Sequence, residues 1–389
     1  FIGDILGTGH YNKRNTSREA LFLQLVALAA KSAKAYTVHK MEENEMKNLS
    51  KLTALALSGV LALSLAACGG SGTASTPAPE TSAPGTPAPE TAAPAGETVY
   101  TVGICQLAPH VALDAATEGF MDAINEALPG QVKFDLQNAA GDSPTCATIV
   151  NGFVSADVDL IMANATPALL AAASATGDIP VLGTSVTEYG VALGIDGFTG
   201  TVGTNVSGTS DLAPLDQQAA MIQEWYPDAQ TVGLLYCSAE PNSQYQVDEV
   251  QKALESFGYT CTQYPFSDTN DMASVTQNAA DNSDVLYVPT DNTVANNTGI
   301  VDNICHGKVP VFAGEEGICA GCGVATLSIS YYDLGVATGK MAVKILTGEA
   351  DVSEMPIEYA PNFTKKYNET TCADLGITPP DGYQAISAG

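Results

Sequence analysis

The chain has 389 residues, with 15 basic against 43 acidic residues and a formal net charge of −28. So acidic a surface excludes nucleic acid as a partner, because phosphates are gripped by lysine and arginine. The same field disfavours anionic ligands.

Phe1 is not an initiator, and Met46, or else Met41, reads as the start of translation. Residues 1–45 are therefore expected to be non-native upstream translation. Lys47 and Lys51 precede an uncharged apolar run, Leu52 to Leu63, closed by Leu65-Ala66-Ala67-Cys68-Gly69-Gly70. That order of charge, apolar run and small residues is a secretory signal with a lipoprotein-type cleavage site. The apolar run is too short for a comfortable membrane span. Residues 46–67 are expected to be a signal peptide, and Cys68 to carry a lipid that holds the chain on the outer face of the cell membrane. Residues 68–98, with their repeated Thr-Pro-Ala-Pro-Glu-Thr, cannot bury a core and read as an extended tether.

Beyond Cys68 the imbalance deepens, with seven lysines against 38 acidic residues and no arginine after Arg18. A bidentate arginine clamp on a ligand carboxylate is therefore impossible. Hydroxyls, backbone N–H groups or helix N-termini must hold any such group.

The body repeats itself. Thr101-Val102-Gly103-Ile104-Cys105, Val158 to Ala163 and Ile179 to Gly183 in the first half are matched by Thr231 to Tyr236, Ser283 to Val288 and Val309 to Ala313 in the second. Each run suits a strand buried on both faces. The anchors Thr101, Asp159 and Pro180 correspond to Thr231, Asp284 and Pro310. Further strands fit Val132 to Leu136 and Thr260 to Tyr264. Helical periods run through Leu113, Ala116, Phe120, Ile124 and Ala127, and through Val247, Val250, Leu254 and Phe257, the latter stopped by Gly258. Strand–helix alternation in two halves predicts an α/β protein of two similar doubly wound parallel-sheet lobes.

Ligands of such sheets sit beyond the carboxyl ends of the strands. That rule selects Gln106 to His110, Asn164 to Pro167 and Thr184 to Thr187 in the first half. In the second it selects Ser238 to Ser243, Pro289 to Thr293 and Gly314 to Gly317. None of the six contains lysine or arginine. A small neutral or zwitterionic ligand between the lobes fits that content.

A set of segments now takes on meaning: Gln106 with His110-Val111-Ala112-Leu113-Asp114, Asn138 to Asp142, and Asn205-Val206-Ser207-Gly208-Thr209-Ser210-Asp211. Tyr287 to Val294, Val311 to Glu316 and Tyr331-Tyr332-Asp333-Leu334-Gly335 belong with them. From about Val99 to Pro380 the chain resembles the solute-binding lipoproteins of ABC importers, in the tryptophan/tyrosine-binding group with the type I periplasmic-binding-protein fold. The resemblance implies a hinge of three crossings, placed near Val206, Tyr331 and Val352. The first lobe would comprise 99–206 with 331–352, and the second 207–330 with 353–389. It also implies an aromatic amino acid as ligand, ABC permease subunits as partners, a monomer, no catalysis and no cofactor. A sensor role, or a branched-chain amino acid or nucleoside as ligand, is the alternative.

For a bound amino acid, Asp291 is the choice for the ammonium, and it would also cap the helix it opens. Asn292 follows it. Thr166, Thr184 and Ser185 offer hydroxyls from the first lobe, with Ser210 and Asp211 at the first crossing. Gln106, Asn242, Ser243 and Glu315 complete the candidates. Tyr189, Tyr236 and Tyr245 are candidates to stack on a planar ligand, whereas Trp225 reads as core. Cys319-Ala320-Gly321-Cys322 has redox or zinc spacing, but no second pair accompanies it. No metal is expected, and inert thiols or a local disulfide suit it better than oxidoreductase chemistry.

Overall fold

A computed structural model of the protein describes residues 99–386. The upstream segment 1–45, the signal peptide 46–67, the lipidation site Cys68 and the tether 68–98 lie outside the described residues. Among the described residues no helix is long and apolar enough to cross a membrane.

Each repeated apolar run forms a strand. The first lobe holds β1 (Tyr100–Gln106), β2 (Val132–Asn138), β3 (Leu160–Asn164), β4 (Val181–Val186) and β5 (Val206–Ser210). The second holds β6 (Thr231–Cys237), β7 (Thr260–Phe266), β8 (Val285–Val288), β9 (Val311–Ala313) and β10 (Ala325–Ser328). The short β11 (Glu358–Tyr359) then joins the first sheet, and β12 (Thr364–Tyr367) and β13 (Gln384–Ala385) join the second. The six-stranded sheet runs β11-β5-β4-β3-β1-β2 and is parallel throughout. The seven-stranded sheet runs β13-β12-β10-β9-β8-β6-β7, with β12 antiparallel to β10.

The matched anchors do matched work. Asp159 Oδ2 accepts the N–H of Thr101 at 2.7 Å, and Asp284 Oδ2 accepts that of Thr231 at 2.9 Å. The carbonyls of Pro180 and Pro310 accept from Ile161 and Leu286, each at 2.9 Å. Each half thus pins the start of its first strand to its neighbour with the same residue types.

Helices α1 (Val111–Ala127), α2 (Ser143–Ser155), α3 (Thr166–Ala175) and α4 (Tyr189–Leu193) cover the first sheet. Helices α5 (Leu215–Trp225), α6 (Pro241–Ser256), α7 (Thr269–Asn282), α8 (Asn292–Ala295), α9 (Thr298–Cys305) and α10 (Glu316–Cys322) cover the second. Helix α11 (Tyr331–Leu346) returns to the first lobe, and α12 (Glu369–Leu375) stays on the second. Strand alternation divides each lobe into two cores. In the first, Val102, Ile104, Leu160 and Met162 pack on one face, and Cys105, Ile161 and Ala163 on the other. In the second, Val285 and Tyr287 oppose Leu286 and Val288 in the same way.

Helix α11 packs on α1. The approach is close: a Cβ at Gly119 would stand 2.1 Å from the Tyr332 carbonyl oxygen, and one at Gly335 would stand 2.0 Å from that of Ala116.

The hinge lies later along the chain than the sequence suggests at two of three places. Val206 opens β5, which pairs with β4 in the first sheet, so the first crossing follows Ser210. The second falls at Ile329 and Ser330, between β10 and α11, next to the expected Tyr331. Val352 starts a 3-10 turn, and the chain re-enters the first sheet at β11, so the third crossing is 360–363. Ala112, Ala116, Ile329, Tyr331, Leu334 and Ala360 pack together across the second and third crossings.

Candidate functional site

Between the lobes lies a pocket lined by His110, Ala112, Leu113, Ser185 and Thr187 from the first lobe, and by Asn242, Thr290, Asp291, Asn292, Ala295 and Glu315 from the second. Asp211 and Tyr331, beside the first and second crossings, close its hinge side. Five of the six strand-end segments contribute a wall residue. No lysine or arginine lines it.

The second-lobe wall is built from carboxylates fixed by backbone amides. Asp291 caps α8: its Oδ1 accepts the N–H of Val294 at 2.9 Å and its Oδ2 that of Cys237 at 2.7 Å. Glu240 accepts the backbone N–H groups of Asn292 and Thr293 at 3.0 and 2.8 Å, together with the Asn292 amide and the Thr293 hydroxyl. Glu315 caps α10 through the N–H groups of Gly317 and Ile318. Burial pushes the Asp291 carboxyl up to about 7, helped by the Glu240 charge and opposed by its two amide donors and Ser243. Burial also pushes Glu315 up to about 7, against the pull of its own amide donors.

Asp211 is different. Its Oδ2 accepts from the Tyr331 hydroxyl at 3.0 Å, while its Oδ1 is buried without a partner. Burial raises this carboxyl to about 6, against the Tyr331 hydrogen bond and the pull of the Thr187 hydroxyl nearby.

Among the described residues, eight buried side-chain polar atoms lack a hydrogen-bond partner, and four belong to this pocket: Asp211 Oδ1, Asn242 Oδ1, Ser185 Oγ and His110 Nε2. A buried polar atom left unpaired costs about 1–3 kcal/mol, so native proteins rarely keep several together without use. Two of the four are acceptors, on the hinge and the second lobe. Ser185 Oγ carries a donor hydrogen, and His110 offers a ring nitrogen, both from the first lobe. Ser185 also sits at φ +54°, a left-handed conformation for a residue with a Cβ. Burial holds the His110 imidazole below its usual value, so it stays neutral near pH 7.

Of the residues singled out in the sequence, Ser185, Asp211, Asn242, Asp291, Asn292 and Glu315 line this pocket. The others stand behind it. Gln106 is engaged on both ends, by Ala108, Asp114 and Thr117. Thr184 shares a hydrogen bond with Thr209 in the core. Ser210 donates to the Thr187 carbonyl. Ser243 is buried behind Asn242 and Asp291, and Thr166 opens α3. Tyr189 is buried against Thr209, and Tyr236 is bonded to Gln244 and Gln263. Tyr245 is absent from the lining, and the ring that does line it is Tyr331. Trp225 packs edge-on against Phe312 and Tyr383, in the core as expected. The readings that missed Glu240, Thr187 and Thr290 lacked any local signal, although all three fall within the selected strand-end segments.

Cys319 and Cys322 are buried free thiols on α10, and burial pushes both well above the ordinary cysteine range. A thiol so placed is a poor nucleophile.

Comparison with known proteins agrees with this geometry. The family described as ABC transporter substrate binding protein matches residues 101–387. The chain is similar to a tyrosine-binding protein of Clostridioides difficile, 34% identical over 280 residues, spanning 71% of this chain and 81% of that protein. It is similar to a Streptococcus pneumoniae domain solved in complex with L-Trp, with 32% identity, a TM-score of 0.71, and coverage of 74% of this chain and 100% of that one. It also resembles the ligand-free, open structure of a Clostridium difficile substrate-binding protein with adhesive properties. Identity there is 36%, coverage 75% and 100%, and the TM-score 0.59. A sugar-transporter subunit of Rhodobacter sphaeroides, 12% identical with a TM-score of 0.52, shares the fold alone.

Proposed function

Because the chain belongs to the ABC transporter substrate-binding protein family, whose members bind solutes rather than catalyse reactions, we propose that it captures an aromatic amino acid, tryptophan or tyrosine, for an ABC importer. It would work outside the cytoplasm, held by a lipid on Cys68 and spaced from the membrane by the tether. The named ligands of two relatives, tyrosine and L-Trp, support the choice.

One observation carries the reading: the four unpartnered atoms of the pocket complement a zwitterion. Asp211 Oδ1 and Asn242 Oδ1 are acceptors for an ammonium group. Ser185 Oγ and His110 Nε2 are positioned as donors for a carboxylate, in a wall with no basic side chain. The acidic wall of Asp211, Asp291 and Glu315 lacks a cation of its own, and buried negative charge demands one. A ligand ammonium supplies it. The mechanism is rotation of the lobes about the three crossings until both walls meet the ligand.

Thermal unfolding of the full chain with L-tryptophan, L-tyrosine, L-leucine and adenosine tests this. A ligand at 100 times its dissociation constant adds about 2.7 kcal/mol of stability. Stabilisation by the aromatic amino acids is expected, and a shift with leucine or adenosine alone would overturn the aromatic assignment. Mass spectrometry of the protein from the cell surface tests the anchor. An acylated N-terminal Cys68 is expected, and an intact Ala67–Cys68 bond in the main species would remove it.

A further inference from the structure

We infer that Asp211 is the residue that receives the ligand's ammonium, and that Tyr331, from the hinge, sets how readily Asp211 ionises, so that ligand capture is linked to proton release. This rests on the amino-acid reading above.

Three carboxylates line the pocket, and of these only Asp211 has an oxygen with no hydrogen-bond partner at all. Both oxygens of Asp291 already accept backbone N–H groups, and the Glu315 carboxyl is engaged by Gly317 and Ile318. Asp211 Oδ1 has no partner, although the residue is only 4% exposed. The backbone around it is fixed to the first sheet, since its N–H donates to the Val186 carbonyl and the Ser210 hydroxyl to that of Thr187. Its other oxygen is held by Tyr331, which is buried among Ala112, Ile329, Leu334 and Ala360. The carboxylate is therefore aimed by groups from all three crossings, with one face left open to the pocket.

In the empty cleft burial places the Asp211 carboxyl at about 6. An ammonium 3 Å away would favour the charged form, so the value falls on binding. The sign follows. Affinity is complete above the empty-cleft value and declines as pH drops through it, by up to about tenfold per pH unit, until the bound form also protonates. Tyr331 and Tyr189, which face Asp211 from α11 and α4, are both pushed well above their usual range and stay neutral. Glu315 faces it from the start of α10, while Asp291 and His110 line the same pocket. Asp291 and Glu315, at about 7, titrate in the same window, and the Asp211 charge helps to raise Glu315, so the share of the pH dependence assigned to Asp211 is the step near pH 6 that Asp211→Asn removes.

Calorimetric titration of L-tyrosine into the full chain at pH 7.5, 6.0 and 5.0 tests the inference, with melting curves as the check on folding. The wild type should bind about tenfold more weakly at pH 5.0 than at 7.5. Asp211→Asn should weaken binding at pH 7.5 by about 100-fold, the scale of a charged hydrogen bond lost from a dry site, and its pH dependence should flatten. Tyr331→Phe removes a single hydroxyl that favours the ionised carboxylate, so it should keep binding at pH 7.5 and move the pH midpoint upward. Asp211→Asn binding as tightly as wild type with an unchanged profile would overturn the role of Asp211 while leaving the amino-acid reading intact. An unmoved midpoint in Tyr331→Phe would overturn the role of Tyr331. Wild type binding no amino acid at all would overturn both the inference and the reading beneath it.

Discussion

Ser185 and Thr187 stand at the end of β4 in the first lobe, and Asp291 and Glu315 stand beyond β8 and β9 in the second. Glu315 occupies the place in the second sheet that Ser185 and Thr187 occupy in the first, with Asp291 at the end of the neighbouring strand, yet the two walls reach the pocket in different states. Asp291 and Glu315, each standing at a helix start, hold two backbone N–H groups apiece. Ser185 Oγ holds nothing. The second lobe therefore supplies a carboxyl wall that is part of its own fold, and the first supplies a hydroxyl that the fold leaves unpaired. In the empty protein both walls carry a local cost, unpaired polar atoms in the first and buried carboxyls raised to about 7 in the second, which the backbone N–H groups offset only in part.

Substitutions can break that contrast in order of expected size. Asp291→Asn leaves one acceptor oxygen and turns an NH2 group toward a backbone N–H. Urea unfolding should show a loss of about 1–3 kcal/mol, the cost of a buried donor left unpaired. An unchanged midpoint would mean that Asp291 faces the ligand more than the helix. Next, Thr184→Val and Ser185→Ala, in adjacent residues, should do opposite things. Thr184 Oγ1 shares a hydrogen bond with Thr209 Oγ1 at 3.2 Å, and Thr209 in turn meets Thr338 at 2.8 Å. Its replacement should cost about 1 kcal/mol of stability without altering affinity. Ser185→Ala removes a hydroxyl that has no partner in the fold, so stability should stay within about 0.5 kcal/mol while affinity falls roughly three- to tenfold. Equal effects of the two on ligand titration would erase the distinction between a wall residue and a core residue.

These cases also show which parts of the molecule could be read from the chain. The strands announce themselves because burial on both faces demands uninterrupted apolar runs, and the Asp and Pro anchors recur because the same strand starts need fastening twice. Helix α1 was legible through the spacing of Leu113, Ala116, Phe120 and Ile124. The first crossing was misplaced because β5 reads Val-Ser-Gly-Thr-Ser, a polar run that nevertheless lies wholly buried in the sheet. The third was misplaced because β11 is two exposed residues, too short to leave a pattern. Within the site, chain position predicts proximity to the cleft but not direction. Thr184 and Ser185 are neighbours facing opposite ways, and the reason is a threonine 25 residues further on. Glu240 was missed because its partners are backbone groups 52 and 53 residues away.

The close contact between α1 and α11 has a mechanical consequence. With Gly119 and Gly335 letting the two backbones touch, the helices form a splint. One starts beside His110 and the other at Tyr331, so the imidazole and the phenol that face the pocket ride on a single stiff body. Such a body transmits torque and does not bow. A guest too large for the cleft cannot push one of these groups aside without moving the other, and it registers as incomplete rotation about the hinge. Size discrimination then resides in an angle shared by the whole molecule, not in the give of any one side chain.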